Sequence, residues 1–108
     1  MLSGYRIMWI LVMFDLPVKT KKERDDANHF RKFLLDLGFM REQLSVYMRF
    51  CTGYAQIEKY AHQIEKSLPE GGKVSIMQLT DKQFGRTLRF WGRKSKPVDE
   101  SPDLFVLI

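Results

Sequence analysis

The segment that most constrains the fold is residues 7–14, an unbroken apolar run. The run is too short to span a bilayer. It is typical of a strand covered on both faces, although a buried helix has the same pattern. Its β-branched and aromatic residues favour the strand. Pro17 ends it, because proline lacks an N–H group and disfavours helical dihedral angles at Leu16. Asp15 therefore lies where a buried strand leaves the sheet, a position where α/β folds often place chemistry, unless it is a turn or capping residue.

Composition limits the class of protein. The 108 residues suit one domain with its own core, and a hydrophobic content of 44% excludes a disordered tail. The single cysteine, Cys51, excludes an internal disulfide and fits a reducing cytoplasm. We expect no export, because an acidic residue follows the apolar run and no small-residue cleavage site does. The net charge of +5 favours an anionic partner, with a solvated basic surface as the alternative.

Two apolar stripes predict two helices. Thr20 and Glu23 have the spacing of a capping box, and Gly38 is a natural stop for the helix that follows them. The second helix ends before Pro69 and the two glycines after it. The stripes consist of Ala27, Phe30, Leu34 and Leu37 in the first helix, and of Tyr54, Ile57, Ala61, Ile64 and Leu68 in the second.

The remaining segments are extended by composition. Residues 39–51 form either one bent strand or two strands. In this stretch, Leu44, Val46, Met48 and Phe50 alternate with Ser45, Tyr47 and Arg49, the period of a strand with one buried face. Residues 73–80 are another strand, residues 81–86 have the composition of a turn, and residues 87–91 can form one more strand.

This order of elements predicts an α+β, ferredoxin-like sandwich with two helices on one face of an antiparallel sheet and an extra C-terminal strand. The other sheet face then carries apolar side chains that no helix covers, which favours a homodimer. We assign residues 1–96 to the ferredoxin-like domain and residues 97–108 to a C-terminal tail that docks on the dimer mate or on a partner.

Four segments in their order resemble the CRISPR-associated Cas-two family, most closely the variety that accompanies Cas-nine-type systems. They are Met-Phe-Asp-Leu-Pro after the first strand, Phe-Arg-Lys-Phe-Leu-Leu in the first helix, Leu-Ser-Val-Tyr-Met-Arg in the middle strand and Thr-Asp-Lys-Gln-Phe-Gly-Arg near the end. The resemblance covers about residues 5–96. It implies a homodimer that bridges two dimers of the Cas-one integrase, captures short DNA fragments and takes part in their insertion into the CRISPR array.

The resemblance also implies an activity. Members of the family are credited with magnesium-dependent cleavage of single-stranded RNA or double-stranded DNA, and the aspartate that binds the metal matches Asp15. The residues alone leave an enzyme and a scaffold both open, and we favour the scaffold. The alternative is a free-standing, toxin-like, metal-dependent ribonuclease of the same fold. A metabolite-binding regulator is a third class, for which we find no ligand motif.

Asp15 is the candidate catalytic and metal-binding residue. Mg²⁺ keeps several of its waters, so one or two carboxylates can hold it beside a phosphate. A dimer axis that passes between two copies of Asp15 would supply such a pair, so we expect the metal to be shared across the dimer. The next acid along the chain is Glu23, which lies across the connector. Ser45 and Tyr47 can assist, or their hydroxyls bond to neighbouring groups of the strands.

Two basic clusters are candidates for nucleic-acid binding. The connector cluster is Lys19, Lys21 and Lys22, where the resemblance places phosphate contacts, and the arginine cluster is Arg86, Arg89, Arg93 and Lys94. Such side chains pair with phosphates and position a duplex without reading its sequence. The alternative is a basic edge that keeps a strand from aggregating. We expect Phe90 and Trp91, within the second cluster, to lie in the core or in an interface.

The tail closes with five consecutive apolar residues after an acidic spacer that contains prolines. These residues are Leu104, Phe105, Val106, Leu107 and Ile108. We expect them to dock on an edge or groove of the Cas-one integrase, or alternatively on the chain's own domain or its dimer mate. We expect no membrane partner.

Overall fold

The computed structural model of the protein describes residues 7–93. The elements in chain order are β1 (Met8–Asp15), α1 (Lys21–Asp36), β2 (Met40–Gln43), β3 (Val46–Cys51), α2 (Tyr54–Glu65), β4 (Lys73–Thr80) and α3 (Asp81–Gly85). The four strands form one antiparallel sheet in the order β2-β3-β1-β4. This is the predicted α+β architecture. None of the described helices is long and apolar enough to span a membrane.

β1 is a central strand, as its apolar run predicts. It pairs with β3 along one edge and with β4 along the other. Its even-numbered residues from Met8 to Phe14 are at most 6% exposed and belong to the core shared with α1 and α2. Asp15 ends the strand and is exposed. Neighbouring strands therefore flank both edges of β1. Helices cover only one of its two faces, so the expected cover on both faces is absent among residues 7–93.

The predicted capping box begins α1. The Thr20 hydroxyl accepts a hydrogen bond from the Glu23 N–H at 3.1 Å, and Glu23 Oε1 accepts one from the Thr20 N–H at 2.9 Å. These bonds satisfy N–H groups that have no partner within the helix. α2 ends at Glu65, so Leu68 of its predicted stripe lies beyond the helix and is 48% exposed. The buried residues of α1 are Ala27, Phe30 and Leu34, and those of α2 are Ile57, Tyr60 and Ile64.

Residues 39–51 form two strands, β2 and β3, joined by a tight turn. The helices cover Tyr47 and Cys51 of β3, which are 2% and 0% exposed, whereas Leu44 and Phe50 are 43% and 42% exposed. The apolar set that alternation predicts for the buried face therefore lies on the opposite face. The reason is that Tyr47 is amphipathic and packs its ring under the helices against the ring of Phe14.

Arg49 belongs to the same helix-covered face. Its guanidinium carbon lies 4.4 Å from the centre of the Tyr60 ring, and its Nε donates to the Leu37 carbonyl at 2.9 Å. A long arginine side chain can bury its stem and keep its head hydrogen-bonded. A polar residue of β3 thus lies half-buried on the helix-covered face, where a simple polar and apolar alternation assigns it to solvent.

The C-terminal part of the described chain differs from the prediction. Residues 81–86 contain the short helix α3 and not an open turn, because Thr80 and Gln83 form a second capping box. The strand predicted for residues 87–91 is wrong, since no strand follows β4 within residues 7–93. Lys94, the tail at residues 97–108 and any strand within it lie outside the described residues.

The sheet face opposite α1 and α2 carries the predicted uncovered apolar side chains. We call this surface the open face; it consists of Trp9, Leu11, Met13, Val46, Met48, Phe50, Met77 and Leu79. α3 partly covers one end of it: the Phe84 ring stacks on Trp9 with 4.4 Å between centres, and Trp9 Nε1 donates to Asp81 at 2.8 Å. Met48, in the middle of this face, is 8% exposed. Phe50 and Met77 remain 42% and 45% exposed. A contiguous apolar surface of this kind is unusual on an isolated protomer.

Candidate functional site

Asp15 lies on the open face, at the end of the sheet opposite α3. Side chains alternate along a strand, so Asp15 follows Met13 on that face. In the ladder between β1 and β4 it pairs in register with Lys73. These two residues line an open depression together with Ser45 and Ser75. No side-chain or backbone donor within residues 7–93 bonds to the Asp15 carboxylate, so it caps no helix there.

The backbone at Asp15 is held by a close approach of the turn before β4. Gly72 has φ +92°, and a Cβ atom there would lie 2.6 Å from the Asp15 carbonyl oxygen and 2.8 Å from Leu16 Cδ2. No other residue fits this position without displacing the chain. The two glycines that predict this turn therefore also determine how β4 meets the end of β1.

One protomer does not supply a complete magnesium site. The described residues include no group of three or more His, Cys, Asp or Glu side chains that would hold a metal ion. The depression offers one carboxylate and the hydroxyls of Ser45 and Ser75, with the positive charge of Lys73 beside them. Tyr47 lies under the helices and not on the open face, so the structure excludes it as an assistant to Asp15. A second carboxylate has to come from another copy or the remaining ligands from phosphate and water.

The connector cluster is exposed and partly neutralised. Lys21 Nζ lies 2.9 Å from Asp25, and Lys22 Nζ lies 2.9 Å from Asp26 and 3.3 Å from Glu70. The hydrogen bond that Lys22 donates to Asp26, followed by the one that it donates to Glu70, raises the pKa of Lys22 above its ordinary value. Exposed ion pairs of this kind contribute little and are screened by salt. Both lysines can therefore exchange a carboxylate for a phosphate at small cost.

Arg24 shapes the connector, a role that sequence reasoning missed. Its Nη1 donates to the carbonyls of Val18 and Lys19, at 3.2 and 3.0 Å. Glu23 accepts from the Lys19 N–H at 2.9 Å. Lys19 is thus presented on an ordered connector. The signal in the sequence is weak, because an arginine in the first turn of a helix is common on solvated surfaces.

Arg86, Arg89 and Arg93 follow α3 and are exposed as residues. Arg89 is already engaged: its Nε lies 2.7 Å from Glu42 Oε2, and its guanidinium carbon lies 5.3 Å from the centre of the Phe84 ring. The Glu42 side chain is 17% exposed, so this pair is better shielded than those of the connector cluster. Arg89 therefore joins the segment after α3 to β2, and a phosphate that binds Arg89 competes with Glu42 for its guanidinium.

Arg86, at the end of α3, and the connector cluster lie at opposite ends of the sheet. The connector follows Asp15 at the end of β1, whereas α3 follows Thr80, which pairs with Met8 at the start of β1. The eight residues of β1 are joined by seven steps of about 3.3 Å each, so its two ends lie roughly 23 Å apart. Arg86 and the connector lysines therefore form separate basic sites, whereas Arg89 lies at the edge strand β2 between the two ends.

The segment after α3 also exposes large apolar side chains. Leu88, Phe90 and Trp91 are 80%, 87% and 45% exposed. The expectation that Phe90 and Trp91 lie in the core of the protomer is wrong, and an interface is the remaining part of that prediction. Cys51, by contrast, is fully buried, and burial raises the pKa of its thiol, which makes it a poor nucleophile.

Residues 8–87 match the family model of CRISPR associated protein Cas2. The chain belongs to this family. The match includes Asp15, the connector cluster and Arg86, and it ends before Arg89. The inferred resemblance to the Cas-two family is therefore confirmed.

Curated relatives match this chain over nearly its whole length. The chain is 55% identical over 107 residues to the CRISPR-associated endoribonuclease Cas2 of Paracidovorax avenae, with 99% of each chain covered. It is 50% identical over 99 residues to the protein of the same description from Flavobacterium psychrophilum, with 92% of this chain and 86% of the relative covered.

Solved Cas2 structures have the same fold. A crystal structure of Cas2 matches with a TM-score of 0.60 and 25% identity, over 86% of this chain and 95% of its own. Streptococcus pyogenes Cas2, crystallised at pH 6.5, matches with a TM-score of 0.57 and 24% identity, over 78% of this chain and 99% of its own. The second likeness shows the fold alone.

Proposed function

We propose that this Cas2 protein is a homodimeric scaffold of a cytoplasmic spacer-acquisition complex that accompanies a Cas-nine-type system. In this role it binds duplex DNA without sequence specificity and bridges dimers of the Cas-one integrase. The observation that carries the proposal is the open face, which is apolar across three strands and leaves Phe50 and Met77 42% and 45% exposed in the protomer. A second copy is the natural occupant, because one self-complementary patch suffices for a two-fold dimer.

Dimerisation through the open face gives Asp15 its role. Asp15 lies at the end of that face, so a two-fold axis near it brings two carboxylates together. Such a pair, with phosphate and water, satisfies Mg²⁺. When bound, the ion would lower the pKa of a water and offset charge on a phosphodiester. We propose this as an accessory endonuclease or endoribonuclease activity, in line with the description of both curated relatives as endoribonucleases.

The basic clusters suit a long, evenly charged partner. A dimer carries two copies of each cluster, and the connector lysines are exposed and weakly paired. Duplex DNA offers phosphates at regular spacing along its whole length, and contacts to phosphates fix position without reading bases. RNA is a second nucleic-acid partner in this proposal, as a substrate of the accessory activity.

Duplex binding has a measurable salt signature. We expect log Kd to vary linearly with log salt concentration, with a slope of about 0.9 per phosphate neutralised. Replacing Arg86 and Arg89 by Gln should flatten this slope and weaken unrelated duplexes equally, as measured by fluorescence anisotropy. The matched control is Lys59→Gln with Lys66→Gln, which removes the same charge from the exposed side of α2. Because Arg89 also pairs with Glu42, melting curves of each variant are needed to exclude unfolding.

A strong preference for one sequence would contradict sequence-independent binding. An equal slope for the wild type and the double arginine variant would exclude the arginine cluster. If the slope does flatten, Arg86→Gln alone separates the contributions of the two arginines to binding, since of these two Arg89 is the one joined to β2.

We propose that the tail, residues 97–108, is a docking segment separate from the ferredoxin-like domain at residues 1–96. Five apolar residues at about 25 cal/mol per Å² of buried surface can contribute several kcal/mol before the cost of ordering them. A short strand added to an edge of the Cas-one integrase would use backbone bonds for affinity and alternate side chains for specificity.

Deleting residues 103–108 tests the docking of the tail. We expect an intact dimer with an unchanged melting temperature that no longer binds the Cas-one integrase in a pull-down, with or without duplex DNA. A destabilised dimer would instead favour docking on the chain itself or on its mate. Full integrase binding by the truncated protein would refute the proposal.

The same pull-down separates the scaffold from its rival. A free-standing toxin-like ribonuclease needs no integrase, so cleavage of RNA by a dimer that never binds the Cas-one integrase would favour that function. The salt dependence of binding does not discriminate between them, because both proteins bind phosphates.

A further inference from the structure

Lys73 is the residue that faces Asp15 across the β1–β4 pair. The two form the last position of this ladder, two residues from the pair of Met13 and Ser75. Residues two apart on a strand share a face, so Asp15 and Lys73 both lie on the open face. Directly opposed residues of antiparallel strands have Cβ atoms about 5 Å apart. The Lys73 ammonium can therefore reach any group bound at the Asp15 carboxylate.

Both side chains are uncommitted. Each is exposed, and among residues 7–93 neither takes part in an ion pair or a side-chain hydrogen bond. This distinguishes Lys73 from Lys21 and Lys22, which each have a carboxylate within 3 Å. The depression that contains Lys73 and Asp15 holds no other charged residue, only Ser45, Ser75 and apolar side chains. Lys73 is therefore the cation of this site.

We propose that Lys73 is the charge-compensating residue of the Asp15 site and competes with a divalent cation for the carboxylate. The proposal rests on the dimer proposed above, in which two copies of each residue meet. Two carboxylates alone attract a divalent ion, whereas two carboxylates with two ammonium groups carry no net charge. The ion then binds well only when an anion such as a phosphodiester pairs with the Lys73 ammonium and neutralises its charge.

The size of the effect follows from electrostatics. A single positive charge about 6 Å from a divalent cation, in surroundings as polar as water, weakens binding of the cation about tenfold. A less polar interface enlarges the effect, and the second Lys73 of the dimer adds to it. Removing Lys73 should therefore tighten metal binding, which is the opposite of what loss of a metal ligand does.

The test is a titration of the dimer with Mn²⁺ alone, followed by the electron paramagnetic resonance of free Mn²⁺, without nucleic acid. Lys73→Met keeps the aliphatic stem and removes the charge. We expect it to bind Mn²⁺ at least about tenfold more tightly than the wild type, and we expect the gain to vanish in Lys73→Met combined with Asp15→Asn. The matched control is Lys82→Met, which removes the same charge from α3, at the other end of the sheet.

Equal Mn²⁺ affinity of the wild type and Lys73→Met would overturn the proposal, and so would an equal gain in Lys82→Met. The absence of Mn²⁺ binding in all variants would overturn it as well. Failure of the proposed function has a different signature: light scattering shows a monomer, or the Asp15→Asn variant binds Mn²⁺ with the same affinity as the wild type. Tight, Asp15-dependent binding that appears only in Lys73→Met would support the inference and contradict a metal site in the wild-type protein.

Discussion

At micromolar concentration the protein is expected to have about twice its chain mass of 12.8 kDa, and Met77→Glu is expected to reduce it to a monomer. Met77 lies on the open face opposite Leu11 and is 45% exposed, so a carboxylate there remains hydrated in the protomer. In a dimer the same carboxylate would be buried against apolar side chains, at a cost of roughly 3 kcal/mol or more, which weakens association at least about a hundredfold.

Light scattering and sedimentation measure this effect directly. Leu35→Glu is the matched control, because Leu35 is 51% exposed but lies on α1, on the other side of the molecule. Circular dichroism should show that both variants are folded. A monomeric wild type would refute the dimer and the shared metal together. A dimer that survives Met77→Glu would show that the interface lies elsewhere than the open face.

The features that sequence reasoning predicted depend on neighbours in the chain. A capping box joins residues three apart, so Thr20 and Glu23 predict the start of α1 without knowledge of the fold. The apolar run and the proline after it likewise determine β1 and its end at Asp15. The same local signal was available at Thr80 and Gln83 and was interpreted as a turn, although these two residues form the second capping box.

The features that sequence reasoning missed depend on distant pairs. Which face of β3 meets the helices depends on register with β1. Arg49 can lie half-buried on the same face as Tyr47 because the Tyr60 ring and the Leu37 carbonyl contact its guanidinium. The ion pair between Glu42 and Arg89 joins residues 47 positions apart.

The same distinction between local and long-range information applies to the candidate site. Asp15 was found from its place after a buried strand, which is local information. Lys73 was missed, because only the register between β1 and β4 brings it beside Asp15. The separation of Arg86 from the connector cluster was also not predictable, since it follows from the antiparallel course of β4.

Asp15→Asn is expected to abolish magnesium-dependent cleavage of nucleic acid while the dimer and its DNA affinity persist. The amide keeps the shape of the side chain but removes the charge that a divalent ion needs. Loss of the metal should lower the rate by at least about a hundredfold, in keeping with the several kcal/mol that such an ion contributes to the transition state. Cleavage is measured with labelled RNA and DNA at several Mg²⁺ concentrations.

Stability distinguishes a metal ligand from a turn residue at this position. The Asp15 carboxylate is exposed and accepts no hydrogen bond from residues 7–93, so its replacement should change the free energy of unfolding by no more than about 0.5 kcal/mol. Asp36→Asn is the matched control, since it removes an exposed carboxylate at the end of α1 that has no ion pair within residues 7–93 and should leave cleavage intact. If Asp15→Asn instead melts early and retains its specific activity per folded molecule, Asp15 has a structural role. Cleavage that survives the substitution and a second purification would come from a contaminating nuclease.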